Sequence, residues 1–493
     1  MASAQMSPVE PGGTPSPIDL LDTSQAGPVA IRGGTLRVGA FFAGTLAGVA
    51  SFGVLARHLG VDDIGRYSIA IALVTFVGGL SDLGLTTIGV RELAVRGGDQ
   101  REGVAQNLLG VRLCIAVVGG LAMVGFAAVA GYGLTLVEGV ALGAVGLLFQ
   151  TSQSTLSVPL ITDLRLGWVA AFDLLRALLS AALIVVLVLA GAHLLAFLAV
   201  TIPVGLAILA LNALVVRGRI PLLPKFQAAA WRDLFGEVIP YAVAVAAAAL
   251  YFQLALIVVS LIANAHAIGY FGVSSRTIQM LLAVPGLAVG TAFPIFARAA
   301  RDDRERLAYA LRRVFEASLL LGALISLLLA VGASLVIKVV GGPKFGPAAE
   351  LLAIQGIGLG ASFSGAVWSY GLLSLGRYRD ILRINLLALL LGGATVAVLA
   401  ALDGARGAAI GTAVGEIVLA LLNAFALSRA DRDLRPPLRI VPAVAIALGL
   451  GALATLAHLP VLAACALAGG IYLVTVLVLG AVPEELVQQV RRG

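Results

Sequence analysis

Charge is scarce in this chain: only 12% of its 493 residues are Asp, Glu, Lys or Arg, while 60% are hydrophobic. With a mean hydropathy of +1.03, that balance excludes a soluble globular protein and marks an integral membrane protein. Cysteine is nearly absent. Cys114 and Cys465 each fall inside an apolar run, so neither a disulfide framework nor a metal cluster is expected. The four histidines, His58, His193, His266 and His458, are too scattered for a metal site. Catalytic constellations are missing as well. The sequence has no loop-borne nucleophile with a His and an acid, no paired carboxylates outside the apolar runs and no glycine loop for phosphates. The longest loop, around Arg217 to Asp233, is too short to hold the donor or acceptor of a membrane glycosyltransferase. Neither an enzyme nor a cofactor is expected. A net charge of +7 would point to nucleic acid in a soluble protein. Here the cations lie in short loops between apolar runs and read as topology signals, so no nucleic-acid partner is expected.

What is present is a succession of apolar runs long enough to cross a bilayer, which takes about 20 residues at about 1.5 Å rise each. Fourteen can be counted, near 35–56, 66–90, 104–131, 134–160, 168–190, 193–216, 234–261, 267–297, 314–340, 348–375, 381–402, 405–428, 440–458 and 460–482. Ala, Gly and Leu dominate them, and small residues let helix backbones approach closely. The expectation is an all-α integral membrane protein. The first 33 residues, rich in Pro, Gly, Ser and Ala, lack the order of a signal peptide and read as a disordered cytoplasmic extension.

Lys and Arg set the orientation. With the N-terminus inside, the cytoplasmic segments hold 25 of them, including Arg298, Arg301, Arg304, Arg306, Arg312 and Arg313 in one loop. The opposite loops hold 5: Arg57, Arg66, Lys338, Lys344 and Arg406. That bias predicts both termini in the cytoplasm.

An internal repeat is visible. Ile64-Gly65-Arg66-Tyr67 opens the second span and Ile268-Gly269-Tyr270-Phe271 the eighth, 204 residues later. Asp173-Leu174-Leu175-Arg176 and Asp380-Ile381-Leu382-Arg383 recur at 207 residues, again six spans apart. An even offset predicts parallel repeats, two six-helix lobes about an axis along the membrane normal, with a substrate site between them. The expected limits are 34–216 and 234–428 for the lobes, 217–233 for a cytoplasmic linker, and 429–493 for two further helices and a short tail.

Six ionisable residues fall well inside the spans: Asp82, Arg112, Asp173, Arg176, Arg276 and Glu416. Arg276 lies about 12 Å into the eighth span by helical rise, near the middle of a core about 30 Å thick. A guanidinium there must face protein or a water-filled path: an anion-binding residue of a transport route, or one member of a buried pair. Arg112 has Asp82 on the preceding helix as a partner, which leaves structural and substrate roles both open. Asp173 and Arg176 share a helix face and read as a local pair. Glu416 is a carboxylate deep enough to bind a proton or cation, or to neutralise an arginine.

These residues carry a resemblance. Leu55-Ala56-Arg57-His58-Leu59-Gly60 with Ile64-Gly65-Arg66-Tyr67, then Ser81-Asp82-Leu83-Gly84-Leu85 and Arg91-Glu92, resembles the opening of polysaccharide-unit flippases of the multidrug/oligosaccharidyl-lipid/polysaccharide exporter superfamily. Ile268-Gly269-Tyr270 through Arg276, with Phe293-Pro294, is similar to their eighth helix. Gly342-Pro343-Lys344-Phe345 and Gly404-Ala405-Arg406-Gly407 look like later connections, so the likeness covers roughly 35–427. The resemblance implies two lobes opening alternately, helices one, two, seven and eight lining a cavity, and a glycan on a polyprenyl diphosphate as substrate. It implies Arg276 at the diphosphate or at an acidic sugar. Arg57, Arg112 and Gln253 are further substrate-path candidates, and Glu416 and Asp82, as carboxylates that can exchange a proton, are the candidates for ion coupling. Gln253 stands where many relatives carry an acid early in the seventh helix, which puts cation coupling at that position in doubt. Implied partners are the lipid-linked glycan, membrane lipids, and glycosyltransferases and a polymerase of one pathway. A cation-coupled drug exporter of the same superfamily and a non-transporting scaffold are the alternatives.

Overall fold

The computed structural model describes residues 26–96, 98–218, 223–227, 231, 239–290, 292–435 and 438–481. Most of the expected N-terminal tail, most of the linker and the C-terminal tail lie outside them. The described chain is helical throughout, and eleven of its helical stretches are long and apolar enough to cross a membrane. One of these, Tyr378–Ala430, is two helices meeting at a break, where Asp403 and Gly404 (φ 53°) leave helical geometry. Counting its arms separately and adding Ile239–Ile262 and Ala265–Gly290 restores the fourteen spans expected.

In chain order the first lobe is α1 (Ala26–Leu59), α2 (Val61–Asp82), α3 (Leu85–Val95), α4 (Gly98–Val129), α5 (Leu134–Leu156), α6 (Val158–Thr162), α7 (Leu166–Leu189), α8 (Leu194–Ala199) and α9 (Thr201–Val216). The second comprises α10 (Ile239–Ile262), α11 (Ala265–Gly290), α12 (Phe293–Asp302), α13 (Arg304–Val340), α14 (Ala348–Ser374) and α15 (Tyr378–Ala430). Then follow α16 (Val441–Ala452) and α17 (Val461–Val478), which pack on α13, where the Tyr472 hydroxyl donates to the Leu320 carbonyl at 2.9 Å. α1 is already helical at Ala26, inside the stretch expected to be tail. Two expected spans are broken. Leu83 and Gly84, both at positive φ, turn α2 into the short α3, and Pro159 in the first turn of α6 ends α5.

The packing repeats with the six-span offset. α1 packs on α7, and α10 packs on α15. The repeats meet where α2 crosses α11, and there the motif glycines face one another. A Cβ on Gly65 would stand 3.1 Å from both the Ala265 carbonyl oxygen and the Gly269 nitrogen. One on Gly269 would collide with the Val61 carbonyl oxygen, and one on Gly272 would lie 2.5 Å from Ser68 Oγ. Positions 61 and 265, 65 and 269, and 68 and 272 are each 204 apart. The contact is therefore self-complementary, as a two-fold axis requires. Only residues without a side chain let the two backbones come this close.

Candidate functional site

α11 is the wall on which three cavities converge. The largest, about 570 Å³, is enclosed by α1, α2, α7, α8, α9 and α11, and Phe52, Tyr67, Asp173, Ser180, Thr201, Arg276 and Gln279 are among its lining residues. That volume lies within the roughly 300–1,000 Å³ typical of ligand pockets. Beside it a space of about 30 Å³ is bounded by Gln253, Ser275, Arg276 and Gln279. A third cavity, about 70 Å³, lies between α10, α11, α14 and α15, with Glu416 in its wall and Gln279 again at its edge.

Arg276 is exposed to the largest cavity, eleven residues into α11, or about 17 Å along the helix axis. Among the described residues it makes no hydrogen bond or ion pair, although the Tyr67 hydroxyl lies within its electrostatic reach. The hydroxyls around it are occupied by their own helix: Ser274 donates to the Phe271 carbonyl at 3.0 Å and Thr277 to that of Val273 at 2.9 Å. A guanidinium facing such a cavity presents a planar fork of donors whose geometry matches a phosphate or a carboxylate.

Arg112 meets a different environment. It is buried, and its guanidinium donates to Asp82 Oδ1 at 2.5 Å and to Thr86 Oγ1 at 3.2 Å, while Thr86 donates to the same carboxylate at 2.5 Å. Both Arg112 and Asp82 are thus spent on a triad that joins α2, α3 and α4, away from the three cavities. Arg57 also lies outside them. It donates to the Val339 carbonyl at 2.5 Å and to that of Lys338 at 3.4 Å, filling orphan acceptors at the C-terminal end of α13. Gln253 is buried at the small cavity it shares with Arg276.

Glu416 accepts a hydrogen bond from Ser362 Oγ at 2.5 Å and another from the Tyr251 hydroxyl. Gln355 lines the same cavity and donates to Ser275 Oγ at 3.1 Å. Among the described residues the carboxylate is held by hydroxyl donors. Tyr67, Tyr251, Gln355 and Ser362 were not singled out from sequence; polarity inside an otherwise apolar run was the available signal.

At the end of α2 and α11 where the glycines cross, backbone lies against backbone. His266 Nδ1 lies 3.0 Å from Asp62 Oδ1 across that crossing. Arg57 ties the end of α1 to the end of α13 on the same side.

Comparison with known proteins accords with this architecture. A family model described as polysaccharide biosynthesis protein matches residues 54–350. No curated protein matches the chain by sequence. Among solved structures, lipid II flippase MurJ in an inward closed conformation aligns with a TM-score of 0.75 at 13% identity, covering 90% of this chain and 98% of its own. An inward-facing multidrug resistance MATE family transporter of the MOP superfamily aligns at 0.63 and 16% identity, covering 80% and 97%. A MOP superfamily transporter from Pyrococcus furiosus aligns at 0.56 and 17% identity, covering 82% and 95%. At such identities these likenesses establish the fold. The family match spans more than half of the sequence, and the chain belongs to the polysaccharide biosynthesis protein family, built as a multi-pass membrane protein on the MOP-superfamily fold.

Proposed function

We propose that the protein moves a polyprenyl-diphosphate-linked oligosaccharide across the cytoplasmic membrane by alternating access, with both termini in the cytoplasm. The lobes are taken as 34–216 and 234–428, joined by 217–233, with 429–493 as the appended helices. The observation that carries the reading is Arg276, a guanidinium with no ion pair among the described residues, midway along an apolar helix and facing a cavity of about 570 Å³. Attraction between fixed charge and diphosphate is much stronger in a low-dielectric cavity than in water. A single guanidinium binds the diphosphate without trapping it. Gln253 bounds the same space with a neutral amide.

Glu416 is the candidate for coupling. Its carboxylate lines a cavity that shares the α11 wall with the larger one, so an ion or proton bound there has a short mechanical route to Arg276. Asp82, engaged with Arg112, is the weaker candidate. The test is export of the glycan in cells lacking the native gene, read beside membrane abundance of the variant. Arg276→Ala is expected to be abundant and inactive, and Arg276→Lys partly active because it keeps the charge and loses the fork. Normal export by abundant Arg276→Ala protein would remove Arg276 from the substrate path.

A further inference from the structure

We infer that Tyr67 is a substrate-binding residue: its hydroxyl and the Arg276 guanidinium form a site for one phosphoryl group, in the small cavity on the pseudo-two-fold axis between the repeats. The site rests on the proposed function and adds to it a second donor that joins Arg276 at the phosphate.

The repeat places the cavity. The space of about 30 Å³ beside Arg276 is walled by Ile71, Ala72 and Thr75 of α2 and by Ser275, Arg276 and Gln279 of α11. Positions 71 and 275, 72 and 276, and 75 and 279 are each 204 residues apart, continuing the correspondence of the glycine crossing. A space lined by equivalent positions of both copies lies on the axis that relates them. Its backbone is symmetric, but its chemistry is not. Arg276 has Ala72 as its counterpart, so the axis carries one cation with a methyl group opposite. Among the described residues no carboxylate lines the space, and Gln253 and Gln279 contribute neutral amides. A water molecule needs about 10–15 Å³ of such room, so the cavity seats about two oxygen atoms. That is the number an arginine fork binds.

Tyr67 differs from its own counterpart in a single group. It lines both this space and the cavity of about 570 Å³. The residue 204 positions on is Phe271, which is fully buried. Both rings pack into the same apolar cluster, so a phenyl ring is all that packing asks for at this position. The hydroxyl is what the first copy adds. It makes no hydrogen bond among the described residues, and it lies within electrostatic reach of Arg276. No described group depends on that oxygen, and its donor is open to a ligand. A phosphoryl group seated on the Arg276 fork supplies the acceptor, and a hydroxyl bonded to a charged oxygen makes one of the stronger hydrogen bonds.

The experiment uses the purified full-length chain and two probes, a polyprenyl diphosphate and the uncharged polyprenol of the same length. Binding is measured by native mass spectrometry, beside the thermal midpoint without ligand. Wild-type protein is expected to hold the diphosphate more tightly than the polyprenol. Tyr67→Phe, which removes one oxygen, is expected to bind the diphosphate about 10- to 100-fold more weakly, the range for a hydrogen bond to a charged group. Its affinity for the polyprenol and its thermal midpoint should match those of wild type. Unchanged diphosphate affinity in Tyr67→Phe, with that affinity lost in Arg276→Ala, would overturn the assignment of Tyr67 and leave the proposed function standing. Equal losses for both probes in Tyr67→Phe, with a lowered midpoint, would show that the oxygen serves the fold and would also overturn it. Wild-type protein that held the diphosphate no better than the polyprenol would remove the diphosphate reading, and the Tyr67 site with it.

Discussion

The crossing of α2 and α11 is the place where a single methyl group should bias the whole molecule. A Cβ added at Gly269 would overlap the Val61 carbonyl oxygen and stand 2.7 Å from Val61 Cγ1 and 2.9 Å from the Val61 carbonyl carbon. Two of these atoms are backbone, so no rotamer change relieves the clash and the helices must separate. Overpacking of this kind costs about 1–3 kcal/mol. That cost applies to the state in which the crossing is closed and vanishes once the two ends part. Gly269→Ala should therefore shift the equilibrium toward opening at that end by about 5- to 150-fold. Gly65→Ala should act in the same direction more weakly, because its nearest atoms lie at 3.1 Å. Gly125→Ala, with open space around the added carbon, should be silent. The assay is the distance between spin labels on cysteines replacing Leu134, at the start of α5, and Lys344, in the turn after α13, both exposed, in a background without Cys114 and Cys465. The expected result is a new long-distance population in Gly269→Ala, a smaller one in Gly65→Ala and none in Gly125→Ala. An unchanged distribution in folded Gly269→Ala protein would show that the glycine contact is not part of a gate.

Other consequences concern the charged residues. Asp82→Asn leaves Arg112 buried without its counter-charge; because Asp82 is itself about one-third exposed, the loss should sit at the low end of the usual range, about 3 kcal/mol. Thermal unfolding should show it, and replacing both Asp82 and Arg112 by leucine should recover much of the stability. A double variant less stable than Asp82→Asn would count against the pair. Glu416→Gln keeps the shape of the carboxylate and removes its ability to exchange a proton or balance a cation, so transport should become insensitive to imposed ion gradients; retained sensitivity would place coupling elsewhere. Reporters active only outside the cytoplasm should give signal when fused after Gly60, Gly191 or Leu459 and none after Asp303, whose loop carries six arginines. Signal at Asp303 would invert or break the proposed topology.

Arg112 and Arg276 show how far the sequence could be read. Both are arginines about a third to half of the way into an apolar span, counted from opposite faces of the membrane. Their difference lies in what the neighbouring helices bring: Asp82 and Thr86 come to Arg112 through the turn at Leu83 and Gly84, whereas α1 and α7 leave Arg276 beside open space. Span number was legible because an apolar run announces itself by length alone. The repeat was legible too, as two motifs at a common spacing. That Gly65 and Gly269 press against each other was not, since a sequence period does not say which face of each copy meets the axis. Asp173 and Asp380 look alike in sequence, and only the packing of α7 around the large cavity separates them. Glu416 was legible as a buried acid, while its hydroxyl partners on α10 and α14 required the fold to bring three helices together.

The central claim is that Arg276 carries a diphosphate through the membrane, and reconstitution tests it directly. The protein is placed in sealed vesicles with a polyprenyl-diphosphate-linked sugar labelled on one leaflet, and appearance of the label on the other leaflet is timed. Wild-type protein should speed that appearance well above protein-free vesicles, Arg276→Lys should give a reduced rate, and Arg276→Ala should return it to the background. Equal rates for wild type and Arg276→Ala, with equal protein in the vesicles, would contradict the account.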